Sequence, residues 1–272
     1  MKNIFRFGFL ALFMATVSCE DATDIIQEGE LSEEAAYRTV DDLQSGLNGV
    51  YAQYGPDFGS NGLGDIIMFN DLFTDNFKRG FQSNGQGNEE YNWIINTTTD
   101  TPNRLWLNRY ATINFANRVL RNIDRVIEGA SQVDIDRANH IRAQLITLRA
   151  LCHFDLLQYF ATDYQNDAAP GVIIMDFVPE LGATFQRNTV GEVFEFIKSD
   201  LTTAEGMLSQ VASDNFYITQ DALMAIKARV LLFEGDAANY PVIEQITETL
   251  LSRHDLITDP EEYRTFWADG NL

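Results

Sequence analysis

Residues 138–161, ANHIRAQLITLRALCHFDLLQYFA, decide the fold. Ile141, Leu145, Leu148, Cys152, Leu156 and Tyr159 recur at three- and four-residue spacing and form one apolar stripe. Leu151, Phe154 and Leu157 form a second. A helix apolar on two sides must be covered on two sides, which places this one in the middle of a helical stack.

The neighbouring segments read the same way. Residues 106–128, with Leu105 just ahead, carry Ile113, Ala116, Leu120 and Ile123 on one face. Thr39 caps an earlier helix, with Asp42 as its capping-box partner and Leu43, Leu47, Val50, Tyr51 and Tyr54 on its buried side; Gly55-Pro56 ends it. Thr189 and Glu192 form a second capping box, followed by Val190, Phe194, Ile197, Leu201, Ala204 and Leu208. Thr219 caps the next helix, where Ala222, Ala225 and Ala228 offer a small-residue surface beside Val230 and Phe233. Residues 241–253 supply the last predicted helix. Pairing 105–128 with 138–161, and 189–210 with 219–235, gives an all-α, tetratricopeptide-like stack of helix pairs. A regular period of about 34 residues is absent because an insertion intervenes.

Two stretches break the helical pattern. Residues 163–187 read as an irregular insertion with one short β-branched strand at Val172-Ile173-Ile174. Residues 59–103 are punctuated by glycine and asparagine and scattered with aromatics, the composition of a functional loop-rich segment.

The first eighteen residues have the layout of a secretory signal: Lys2 and Arg6, an apolar run from Phe7 to Val17, then Ser18. The run is too short for a membrane-spanning helix, which needs about 20 residues. Thr16-Val17-Ser18-Cys19 resembles a relaxed bacterial lipobox, which makes Cys19 the expected site of lipid attachment and new N-terminus. Glu20, Asp21 and Asp24 then look like an export tag for the outer membrane. The expected organisation is a signal at 1–18, a tether at 19–31 and a helical domain at 32–272. A net charge of −21 makes nucleic acid and anionic headgroups poor partners.

Taken in order, the segments resemble the SusD/RagB-like nutrient-uptake lipoproteins. They are the lipobox, Tyr37-Arg38-Thr39-Val40-Asp41-Asp42-Leu43 with Gly46-Leu47-Asn48-Gly49-Val50-Tyr51, and Asp71-Leu72-Phe73-Thr74-Asp75-Asn76. Next come Leu148-Arg149-Ala150-Leu151-Cys152-His153-Phe154-Asp155-Leu156, Arg187-Asn188-Thr189-Val190 running on to Leu201, and Arg229-Val230-Leu231-Leu232-Phe233-Glu234-Gly235-Asp236. The resemblance implies a helical scaffold without catalytic activity or cofactor. It implies a lid for a TonB-dependent, SusC-like transporter, on the outer face of the outer membrane, holding a glycan, an oligosaccharide or a peptide. Family members are nearly twice this length, so the C-terminal half of the family is expected to be absent here. A tetratricopeptide-like scaffold or assembly lipoprotein, holding another envelope protein, is the alternative expectation.

Sugar capture requires flat aromatic faces beside amides and charged groups. Phe81, Asn84, Tyr91, Trp93 and Asn96 supply those types within one segment and are the candidate ligand-binding residues. Enzymatic chemistry finds less support. His140, His153 and His254 lack metal-ligand spacing, and Cys152 lies on an apolar stripe. The acidic pairs Asp41-Asp42, Glu89-Glu90 and Glu261-Glu262 are sequence neighbours, whereas a glycosidase needs two carboxyls about 5–10 Å apart across the sugar.

Overall fold

The computed structural model describes residues 32–55, 69–74, 78, 87–208 and 216–268. The chain divides into two compact units. Of the first, which ends at Ala36, one helical turn is described, Glu33–Ala36. The second begins at Tyr37 and contains seven longer helices among the described residues: α1 (Val40–Tyr54), α2 (Asp100–Val126), α3 (Gln132–Phe160), α4 (Val190–Met207), α5 (Gln220–Glu234), α6 (Tyr240–Leu251) and α7 (Pro260–Ala268).

The helix starts follow the capping residues. Thr39 Oγ1 accepts from the Asp42 amide at 3.2 Å, and the Asp42 carboxylate accepts from the Thr39 amide at 2.9 Å. Thr189 and Glu192 repeat this reciprocal pair, and Thr219 Oγ1 accepts from the Ala222 amide at 3.1 Å. Three boundaries differ from expectation. Helix α2 starts at Asp100 and α3 at Gln132, each about six residues early, and α7 was not expected. Ser131 caps α3, and Asp259 caps the first turn of α7 immediately before Pro260. Both are ordinary start signals, and proline fits the first helical position because its missing N–H is not needed there.

Successive helices run antiparallel, as their cross-links show. Between α2 and α3, Asp124 pairs with Arg142, Asn117 with Arg149, and Arg109 with Asp155, one series descending as the other rises. Between α4 and α5, Lys198 pairs with Glu234 and Glu205 with Lys227. Helix α1 approaches α2 closely at Gly46, where an added Cβ would lie 2.9 Å from both the Val119 and Tyr37 side chains. As its two stripes demanded, α3 sits centrally and feeds two core clusters. One joins Leu43, Leu47, Ile123, Leu145 and Leu223; the other joins Ile113, Phe154, Leu156, Phe194, Ile197 and Val230.

Two sequence expectations are corrected here. Residues 172–174 form no strand; only an isolated bridge joins Pro170 to Thr189. The backbone groups of Ile173 are instead satisfied by one side chain, since the Tyr110 hydroxyl donates to its carbonyl and accepts from its N–H, both at 2.9 Å. Nor do the three alanines of α5 form one buried surface. Ala228 is buried, but Ala225 is exposed, and Leu223 and Val230 carry the packing.

The insertion between α3 and α4 is held by buried polar side chains. Arg149 makes a bidentate pair with Asp200, both contacts 2.8 Å, and donates to Asn117 Oδ1 at 3.0 Å. Asn117 Nδ2 in turn donates to the carbonyls of Met175 and Phe177. His153 is fully buried. Its Nδ1 donates to the Arg149 carbonyl at 2.8 Å, and its Nε2 accepts from the Met175 N–H at 3.1 Å. That arrangement requires the neutral ring, and burial pushes its pKa down to about 4.

Two outcomes are expected from this network. Arg149→Met strands Asp200 without its cation and should cost about 3–5 kcal/mol in urea unfolding, with part regained in Arg149→Met/Asp200→Leu. A single-variant cost within experimental error would show that the pair is not the anchor. The His153 contribution is complete above pH 6.5, where the unfolded ring is also neutral. It falls as pH drops towards 4, because only the unfolded ring then takes the proton. The parent should lose about 3 kcal/mol over that window relative to His153→Gln. Parallel stability curves for the two proteins would refute the assignment.

Candidate aromatic ligand site

The candidate site is built on a turn just ahead of α2. Residues Asn88–Tyr91 form a single helical turn closed at Asn92. The Ile94 N–H then reaches back to the Glu89 carbonyl at 2.8 Å, and the Trp93 N–H to the Glu90 carbonyl at 3.1 Å. This is the paired bonding of a Schellman motif, whose left-handed position normally holds glycine or asparagine. Here it holds Trp93, with φ of 59°.

A left-handed non-glycine residue costs about 1–3 kcal/mol and persists only where its surroundings over-determine it. Those surroundings are visible. Thr99 Oγ1 donates to Glu89 at 2.5 Å and accepts from the Asn96 N–H at 3.1 Å. Thr101 Oγ1 donates to the buried Glu90 at 2.6 Å. On the other side, Gly87 has φ of 66° and faces Leu72 so closely that an added Cβ would meet its methyl at 2.6 Å.

An aromatic series leads to the turn from the end of α3. Tyr159, Phe69, Phe73 and Trp93 contact one another edge to face in that order, at 5.8, 4.7 and 5.2 Å between centroids. The Tyr159 hydroxyl also donates to Asn70 at 2.7 Å. The ring at the end is exposed: Trp93 keeps 70% of its surface open to solvent, and Ile94 and Ile95 beside it are exposed too. An indole held against one neighbouring ring and mostly open to solvent suits the apolar C–H face of a planar or ring-shaped ligand.

The sequence-predicted residues divide. Tyr91 and Trp93 lie on the same turn, both exposed. Asn96 lies three residues on, and its side-chain oxygen accepts from the Thr98 N–H at 2.8 Å and hydroxyl at 2.6 Å, which makes it part of the turn's own scaffold. Phe81 and Asn84 lie outside the described residues, as does Cys19. Sequence reasoning missed the four clamping residues Glu89, Glu90, Thr99 and Thr101. Their one signal was the run of threonines entering α2.

The other candidate groups are accounted for structurally. Cys152 is buried, and burial pushes its thiol up to about 12. His254 pairs with Asp221 at 2.8 Å beside Arg253, tying the end of α6 to the start of α5. Among the described residues no cluster of three or more His, Cys, Asp or Glu side chains could hold a metal ion. None of the described helices is long and apolar enough to cross a membrane.

Comparison with known proteins fits this architecture. Residues 30–232 match the SusD-like family described as starch-binding and associating with the outer membrane. The chain belongs to the SusD-like family. Among curated relatives of this SusD-like chain, SusD-like protein P2 of Formosa agariphila is 24% identical over 270 residues, covering 97% of this chain and 50% of the relative. SusD-like protein P38 of the same organism is 22% identical over 275 residues, covering 100% and 50%. A SusD superfamily structure from Bacteroides vulgatus superposes with a TM-score of 0.72 at 21% identity, over 85% of this chain and 52% of the other. A laminarin-binding SusD-like protein gives 0.63 at 22%, over 79% and 44%. The chain thus spans about half the length of the relatives it matches.

The strained turn allows fold and ligand contact to be separated. Trp93→Gly places the preferred residue in the left-handed position, so thermal stability should hold or rise slightly. A clear fall in melting temperature would show that the indole packs the fold rather than facing outward.

Proposed function

We propose that this SusD-like chain is a non-enzymatic, surface-exposed lipoprotein that binds a glycan or oligosaccharide and passes it to a TonB-dependent, SusC-like transporter. The observation that carries the reading is Trp93: a strained, supported backbone position that leaves a large aromatic ring open to solvent. Tyr91 stands beside it on the same turn, and Phe81 and Asn84 complete the proposed ligand-binding set from the preceding loop-rich segment, with Asn96 shaping the turn. The family description supports the substrate class, and the laminarin-binding relative suggests a β-glucan as the first ligand to try. The lipobox-like sequence at Cys19 supports attachment to the outer membrane by acyl chains, facing outward.

The scaffold reading, in which the helical stack holds another envelope protein, has one observation in its favour. Leu251, Leu256, Tyr263 and Trp267, around α6 and α7, are all exposed. Isothermal titration of the purified protein with laminarin and starch oligosaccharides tests the two. Binding should be measurable and should weaken about tenfold in Trp93→Ala, the loss expected for one aromatic platform. Failure of every glycan to bind, together with pull-down of a soluble envelope protein and no outer-membrane barrel, would favour the scaffold.

A further inference from the structure

We infer that Thr99 and Thr101, acting through Glu89 and Glu90, are positioning residues that hold the Trp93 indole ready for its ligand. The inference rests on the glycan-binding reading of Trp93 and assigns the side chains that make that site rigid.

The first observation is a diverted cap. Thr99 stands at the N-cap of α2, where a threonine hydroxyl ordinarily accepts from an amide of the first turn. Here it makes no such bond. Its hydroxyl instead donates to Glu89 at 2.5 Å and accepts from the Asn96 N–H at 3.1 Å. Thr39, Thr189 and Thr219 all cap their helices in the ordinary way. A cap worth about as much as a net hydrogen bond has been given up at the helix that follows the strained turn.

The second observation is a buried carboxylate with a local task. Glu90 is 7% exposed, and the Thr101 hydroxyl donates to its Oε1 at 2.6 Å from the first turn of α2. Glu89 and Glu90 are also the residues whose carbonyls accept the Ile94 and Trp93 N–H groups. Each glutamate therefore holds the turn by its backbone and fastens it to α2 by its side chain. Two clamps join adjacent turn residues to alternate positions at the start of a 27-residue helix that is itself locked into the core. Rotation of the turn, which would carry Trp93 away, breaks both.

The chemistry explains the choice of groups. A carboxylate accepting from a hydroxyl makes a short, charge-assisted bond, stronger than a neutral one. Because the hydroxyls come from a rigid helix, the bonds fix direction as well as distance. A ligand then meets an indole already in place, and binding does not have to order the loop.

The test is a double-mutant cycle with an independent readout of the turn. Thr101→Val should weaken binding of laminarin oligosaccharide by about three- to tenfold, the factor for one net hydrogen bond. Thr101→Ser, which keeps the hydroxyl, should bind like the parent. Combined with Trp93→Ala, Thr101→Val should add no further loss, because its effect passes through the indole. Amide hydrogen exchange at Ile94 should be faster in Thr101→Val and in Thr99→Val, with or without ligand. Unchanged exchange, or losses that add to that of Trp93→Ala, would overturn the positioning role. Faster exchange in a protein whose parent binds no glycan would instead sink the ligand reading while leaving the clamp demonstrated.

Discussion

The structure depends on one guanidinium. Arg149 lies in the middle of the central helix and reaches two neighbours at once, Asp200 on α4 and Asn117 on α2. Its own carbonyl accepts a hydrogen bond from the His153 ring N–H, and His153 and Asn117 pass the connection to the backbone of Met175 and Phe177. The insertion they hold has no helix or strand of its own, yet Val172 and Met175 are buried. Backbone groups taken out of water need partners, and here side chains of the helices provide them. A buried ion pair alone is weak evidence for stability. This pair matters because it fixes which faces of three helices meet, and so where the insertion can lie.

A second buried cation works in the same way nearer the start of α2. Arg109 has no exposed surface; it pairs with Asp155 at 2.7 Å, and its guanidinium lies 4.4 Å over the Tyr54 ring. Burial pushes the Asp155 carboxyl up, although the Arg109 charge opposes the shift. The two arginines register α3 against α2 at two heights. Sliding one helix past the other by a turn would part the buried Arg109 from Asp155 and Arg149 from Asn117. Apolar stripes alone would not impose that penalty, since leucines tolerate neighbouring registers better than ion pairs do.

This division of labour explains what could be read from the sequence. Helix existence, order and the central place of 138–161 follow from apolar spacing, and three threonine caps follow from their position. Arg109, Arg149 and Asn117 were invisible as core residues, because periodicity counts apolar side chains and these are polar groups buried by virtue of partners far away in the chain. The failed strand at 172–174 has the same origin. Its β-branched residues suit a sheet, but no second strand is available, and the hydroxyl of Tyr110 takes both polar groups of Ile173. In the candidate site the residue types of Tyr91 and Trp93 were legible, but their geometry was not. A tryptophan in a left-handed cap contradicts local preference, and only contacts supplied by Leu72, Phe73 and the start of α2 make it tenable.

That contradiction is informative. Local rules agree with the fold almost everywhere in this chain: caps precede helices, and apolar stripes face the core. A sequence selected for stability alone would put glycine or asparagine at position 93 and let Thr99 cap α2. Both substitutions of role run against stability, and both occur within seven residues of each other. Strain kept in one place, and supported by a buried carboxylate, a diverted cap and a close glycine contact, is hard to account for by packing, since the ring it serves is left mostly in water. The economical account is that the ring's position was selected for something outside the fold, and that the start of α2 was recruited to hold it there.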